Sequence, residues 1–151
     1  MSSHTHSVDV RAPVRVAYNQ WTQFEEFPRF MAGVESITQL DDRNLHWKVD
    51  LDGVEREFDT EITEQTPDHR IAWKTTQGSH HAGVVTFHRL DADNTRVTVQ
   101  MEYDPDGFIE HVGDKLGFVS RRLEGDMSRF GELIEDRDAA SGAWRGVISQ
   151  D

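Results

Sequence analysis

Few residues in this chain have a type and spacing that could do chemistry, and they converge on one strand-like face. Between Val54 and Ile62 the residues alternate, with Val54, Arg56, Phe58, Thr60 and Ile62 on one side and Glu55, Glu57, Asp59 and Glu61 on the other. Arg56 is then the single basic residue on an otherwise apolar face. Thr60 adds a hydroxyl on the same face, and Tyr103 offers a phenol at the end of a later strand-like segment. A cation, a hydroxyl and a phenol among apolar side chains can polarise a carbonyl oxygen and donate a proton. A structural reading is equally available. Arg56 can turn its head to solvent beside Gly53 and Asp50. Tyr103 can be a wall or core residue whose hydroxyl needs a partner if buried. A catalytic role for either stays open at this level.

The aromatic residues make the stronger pattern. Trp47, Phe58, Trp73, Phe87 and Tyr103 fall on the inferred inward faces of successive strands, with Met101 beside Tyr103. Large apolar walls carrying a few polar groups describe a small-molecule site, and they also describe a plain packed core. The histidines do not form a metal motif. His4 and His6 sit in a polar first segment, His80-His81 in a Gly78 to Gly83 loop or strand start, and His46 and His88 on outward positions. No helical His-Glu-x-x-His and no phosphate-cradling glycine loop occurs, so no metal and no cofactor is expected.

The elements that must position these residues follow from periodicity. Ser7 to Arg11 alternates as a short strand, and Pro13 suits the first turn of a helix carrying Val14, Ala17, Tyr18 and Trp21. Phe24, Phe27, Phe30 and Met31 extend that apolar stripe, and Pro28 is expected to split it into two short helices. Six strands follow: Val34 to Leu40, Leu45 to Leu51, Val54 to Ile62, Arg70 to Thr76, Val84 to Leu90 and Arg96 to Tyr103. Asp52-Gly53 is a two-residue hairpin signal. One-sided alternation means an antiparallel sheet with one face wet. The period then changes. Ile109, Val112, Leu116, Val119, Leu123, Met127, Phe130 and Ile134 recur every three or four residues, giving one long amphipathic helix to cover the sheet. A coiled coil would show a similar period. Gly113 and Gly117 in that helix either allow close packing or leave room against the sheet. Residues 138–151 read as a tail, either loose or docked through Trp144 and Ile148.

With 151 residues, no cysteine, 36% hydrophobic residues and a net charge of -12, the chain suits one domain with a single core. Absence of cysteine excludes disulfides, thiolate zinc sites and a cysteine nucleophile. The acidic balance argues against a nucleic-acid partner. No apolar run approaches the ~20 residues that span a bilayer, so stable membrane insertion is not expected. Met1 to Ser7 lacks basic residues and an apolar run, and reads as a mobile terminus of a cytoplasmic protein. Oligomeric state is not legible.

One strand, two short helices, six strands and a long helix form a distinctive order. It resembles the START-like (SRPBCC, helix-grip) superfamily, and within it the polyketide cyclase/dehydrase branch. The likeness rests on Ala12-Pro13-Val14 with Trp21, on Phe27-Pro28-Arg29-Phe30-Met31, and on His46-Trp47, Gly53 and Glu61-Ile62. It continues through Pro67-Asp68, Arg70-Ile71-Ala72-Trp73, Gly83-Val84-Val85-Thr86-Phe87, Thr95-Arg96-Val97-Thr98 and Met101-Glu102-Tyr103-Asp104-Pro105. The resemblance implies an α+β helix-grip fold over residues 1–137. In it a seven-stranded curved antiparallel sheet wraps the long C-terminal helix, with two short helices between strands 1 and 2.

Arginine far outnumbers lysine and acidic residues are abundant, a composition that fits a bacterial source. The resemblance further implies a protein holding an apolar or amphiphilic small molecule of polyketide, lipid or isoprenoid class between sheet and helix. Trp47, Phe58, Trp73, Phe87, Met101 and Tyr103 would wall the cavity. Gly117, Val119 and Leu123 would close it from the helix, and Arg56 and Thr60 would meet a polar end. Two other readings stand beside this one. The first is a polyketide cyclase or dehydratase using Arg56 and Tyr103, although Thr60-Glu61-Ile62 stands where cyclases of this kind carry a serine-histidine-arginine run. The second is a protein-interaction module with a closed interior.

Overall fold

The computed structural model describes residues 2–31, 33–51, 54–77, 81–103, 115–137, 142 and 144–148. The side chains of residues 2, 3, 51, 54, 103, 115–123, 136 and 137 lie outside that description. Strand β1 (Ser2–Val10) leads into helix α1 (Val14–Trp21) and a 3-10 helix (Phe24–Arg29). Strands β2 (Val34–Gln39), β3 (Asn44–Leu51), β4 (Val54–Thr66), β5 (Arg70–Gln77), β6 (His81–Asp91) and β7 (Asn94–Tyr103) follow, and helix α2 (Lys115–Arg137) comes last.

All seven strands join one sheet in the order β1-β7-β6-β5-β4-β3-β2, and every pairing is antiparallel. The chain starts at one edge, crosses to the other through the two short helices, and meanders back until β7 meets β1. This is the helix-grip arrangement. Bulges interrupt β2, β4 and β6, and each bends its strand and curves the sheet.

The alternation read from the sequence holds for the inner face. Leu45, Trp47, Val49, Phe58, Ile62, Ile71, Val85, Phe87, Val97 and Val99 are all buried. Trp21 of α1 sits at the centre of an aromatic cluster, with ring centroids 5.0 Å from Phe130, 5.3 Å from Phe27, 5.9 Å from Phe30 and 6.3 Å from Phe87. Tilted and edge-on rings at these separations add to burial. Met127, Phe130 and Ile134 of α2 are buried within the chain, so this half of the helix packs intramolecularly. Gly131 lies against Val8 and Val10 of β1, where a side chain would crowd Val10 Cγ1 at 3.3 Å. Arg129 ties α2 to the 3-10 helix by donating to the Phe30 carbonyl at 2.8 Å.

Several boundaries differ from expectation. The first strand begins at Ser2 rather than Ser7, because ladder bonding to β7 orders the polar segment: His4 lies opposite Met101 and His6 opposite Val99. The segment is an edge strand and not a mobile terminus. The break between the short helices falls at Thr22-Gln23, where the Thr22 hydroxyl donates to the Asn19 carbonyl, while Pro28 sits inside the 3-10 helix. β4 runs on to Thr66, and β6 begins at His81 rather than Val84. Leu51 pairs with Val54, leaving the two-residue connection that Asp52-Gly53 signalled. Those two residues, His80, Ile109, Val112 and Gly113 lie outside the described residues.

Residues 144–148 dock onto the body. Ile148 is buried and exchanges two backbone hydrogen bonds with Gln65 at 2.8 and 2.9 Å. The Trp144 amide donates to the Thr22 hydroxyl at 3.1 Å. Arg145 donates to Asn19 Oδ1 at 2.6 Å, pairs with Asp68 Oδ2 at 2.7 Å, and lies 5.5 Å from the centre of the Tyr18 ring.

Candidate functional site

An apolar cleft opens between the short helices and the middle of the sheet. Trp21, Phe24 and Phe27 form its helical side; Leu45 and Trp47 of β3, Ile62 of β4, and Ile71 and Trp73 of β5 form its floor. The β3 and β5 residues reach it because alternation points every second side chain inward. Free space at its centre is about 10 Å³, one water's worth, within about 240 Å³ between the lining atoms that opens to solvent. A ligand of drug size has to part these side chains.

Polar atoms around the cleft belong largely to the indoles. Trp47 Nε1 donates to Thr60 Oγ1 at 2.9 Å in a buried hydrogen bond, and Trp47 stacks on Phe58 with centroids 5.6 Å apart and planes 16° from parallel. Trp73 Nε1 donates to His81 Nε2 at 3.3 Å, which assigns that nitrogen as the acceptor. The His81 amide in turn donates to the Thr75 hydroxyl at 3.1 Å. Trp21 Nε1 is buried and has no hydrogen-bond acceptor among the described residues.

The structure gathers part of the expected set. Trp47 and Trp73 line the cleft, with Phe58 and Thr60 directly behind Trp47. Phe87 lies beneath α1, its ring centroid 5.3 Å from Tyr18, and is not among the lining residues. Arg56 is half-buried opposite Val49 and donates to the Glu55 carbonyl at 2.9 Å, also away from the lining. Met101 is half-buried at the margin of the core. Tyr103 stands opposite His81 and Ser2 at the end of β7; its side chain lies outside the described residues. Gly117, Val119 and Leu123 are on α2, and their surroundings lie outside them too.

Sequence reasoning did not assign Trp21, Phe24, Phe27, Leu45, Ile62 or Ile71 to the site, although all had been read as apolar stripe or strand positions. Only the docking of α1 and the 3-10 helix onto β3–β5 turns them into a wall. His81, read as part of a loop or strand start, is the first residue of β6 and is buried. On the outer face His46 is held by Asp59 at 2.5 Å and Glu57 at 3.0 Å. Hydrogen bonding to Asp59 first, and to Glu57 next, pushes its pKa above the ordinary histidine value. Glu35, Asp50 and Glu55 bring carboxylate oxygens within 4.8 Å of one another, as acidic strand residues commonly do without an ion.

Residues 10–131 match the family described as polyketide cyclase / dehydrase and lipid transport. The chain belongs to this family. An uncharacterized 17.2 kDa protein of Streptomyces lincolnensis is 55% identical over 149 residues, covering 98% of this chain and 99% of that one. The Zhui aromatase/cyclase of Streptomyces sp. R1128 superposes with a TM-score of 0.77 at 18% identity, over 95% of this chain and 99% of that one. A START superfamily protein of Mycobacterium smegmatis gives a TM-score of 0.65 at 18% identity, over 84% of this chain and 97% of that one. A Deinococcus radiodurans protein gives 0.72 at 24% identity, over 91% of this chain and 99% of that one. The structural likenesses establish a shared helix-grip fold. Which family chemistry the chain performs depends on its own site.

Proposed function

We propose that the chain is a binding protein for an apolar or amphiphilic small molecule of polyketide, lipid or isoprenoid class. The observation that carries this reading is the lining of the cleft: three indoles, two phenylalanines and three aliphatic side chains, with no charged residue among those described. Apolar walls with few polar groups suit recognition by burial and shape. Cyclisation or dehydration needs an acid or base beside the reacting carbon. The lining supplies none among the described residues, which favours carriage over catalysis. The family description names both polyketide cyclase / dehydrase and lipid transport, and the cyclase or dehydratase reading keeps Arg56 and Tyr103 as its candidates. Among the described residues, no helix is long and apolar enough to cross a membrane.

A second reading, a closed interior with function at the surface, draws on the small free volume of about 10 Å³. Native mass spectrometry of freshly purified protein, followed by extraction of any retained small molecule, separates the two. A co-purified acyl, isoprenoid or aromatic compound supports the binding reading and names its class. A clean apo mass with no uptake of a neutral apolar dye overturns it and favours the closed interior.

A further inference from the structure

Beside the cleft lies a cluster of buried polar groups that nothing in the sequence pattern announces. Ile62 and Gln65 are three residues apart on β4, a spacing that puts side chains on opposite faces of a regular strand. The bulge between Ile62 and Glu64 inserts one residue and returns Gln65 to the inner face, opposite Ile71, where it is 1% exposed. Tyr18 lies three residues before Trp21 on α1, hence on the same helical face, and is fully buried. Ile62, Ile71 and Trp21 line the cleft, so Gln65 and Tyr18 adjoin it from floor and roof.

These two side chains share an unusual condition. Tyr18 Oη, both polar atoms of the Gln65 amide, and Asp68 Oδ1 are buried and make no hydrogen bond of normal geometry among the described residues. The Gln65 side chain lies within loose hydrogen-bonding range of the Tyr18 phenol, and Arg145 and Asp68 act on the same group. Burial is the main cause that raises the Tyr18 pKa above its ordinary value, so the hydroxyl is neutral and able to donate. Buried polar groups are normally satisfied, and leaving several open in one place costs stability unless something fills the gap. The C-terminal segment closes this end from outside: Ile148 is zipped to Gln65, and Arg145 clamps Asn19 and Asp68.

We propose that Tyr18, Gln65 and Asp68, closed over by Arg145, form the polar subsite of the cleft and bind a neutral oxygen, a hydroxyl or ketone, on an otherwise apolar ligand. This rests on the ligand-binding reading above and adds which end of the ligand is polar and of what kind. The open groups comprise donors (Tyr18 Oη–H, Gln65 Nε2) and acceptors (Gln65 Oε1, Asp68 Oδ1), which suits a hydroxyl that both gives and takes a hydrogen bond. An anionic end would meet the Asp68 carboxyl, while the Arg145 guanidinium already serves Asp68 Oδ2 and Asn19.

The test uses the full chain and two probes that differ by one hydroxyl, naphthalene and 2-naphthol, titrated while the four tryptophan indole N–H signals are followed by NMR. Tyr18→Phe and Gln65→Leu are each expected to weaken 2-naphthol about tenfold, the worth of one buried hydrogen bond, and to leave naphthalene unchanged. Thermal unfolding checks that each variant folds, and either one alone carries the comparison if the other does not. If naphthalene binds but neither variant weakens 2-naphthol relative to the native chain, the groups are filled by water only. The subsite is then overturned while the binding reading stands. If neither probe binds the native chain, the binding reading fails and takes the subsite with it.

Discussion

The indole of Trp73 occupies the space where a side chain on Gly83 would stand. The two residues pair across β5 and β6, and a Cβ on Gly83 would fall 2.8 Å from Trp73 Cε2. Glycine in a strand interior weakens it, and here the close approach of the aromatic ring gives the reason for its presence. The same ring position lets Trp73 Nε1 reach His81 and forms part of the cleft floor. Gly83→Ala should therefore displace Trp73 and cost about 1–3 kcal/mol as an overpacked contact. Urea denaturation measures the loss. Adding Trp73→Phe should recover part of it, because the two changes share one space; strictly additive losses would contradict the contact.

Thr60 is fully buried and accepts the Trp47 indole hydrogen. Thr60→Val keeps the shape and removes the acceptor, leaving a buried N–H unpaired. A loss of about 1–3 kcal/mol is expected, together with a shift of the Trp47 indole N–H resonance. A variant as stable as the native chain would mean that the indole finds another partner.

His46 gives a pH dependence whose sign is fixed. Its pKa is raised in the folded chain, by Asp59 first and Glu57 next, so the folded state holds the proton more tightly than the unfolded state. The resulting stabilisation is complete below the ordinary value of 6.5 and is lost as pH rises through the higher folded value. His46→Asn should flatten that decline. Urea midpoints from pH 5.5 to 8.5 for both proteins check it, and a histidine NMR titration at or below the ordinary value would refute it.

Arg145 holds the C-terminal segment through Asn19, Asp68 and the Tyr18 ring. Arg145→Ala should cost about 1.5–3 kcal/mol, the range for hydrogen bonds to a charged group. Hydrogen exchange should quicken at the Gln65 and Ile148 amides, which bond each other's carbonyls. Unchanged protection there would show that Ile148 anchors the segment alone.

Periodicity determined a large share of this protein. Strict alternation placed Leu45, Trp47, Val49, Val97 and Val99 on the inner face, where they are buried, because a strand has only two faces and one must be apolar. The three-and-four spacing of Met127, Phe130 and Ile134 did the same for the helix. Trp47 and Trp73 of the cleft were legible for that reason. The polar first segment was misread because its order comes from the β7 ladder, which composition does not record. Gln65 was unreadable because a bulge is one inserted residue that reverses every later side chain. Trp21, Phe24 and Phe27 were visible as apolar, yet what they face is set by how the short helices cross from one sheet edge to the other. The closure of the Gln65 end by Arg145 and Ile148 joins residues about eighty positions apart. Local sequence determines which way a side chain points; only tertiary packing decides what it meets.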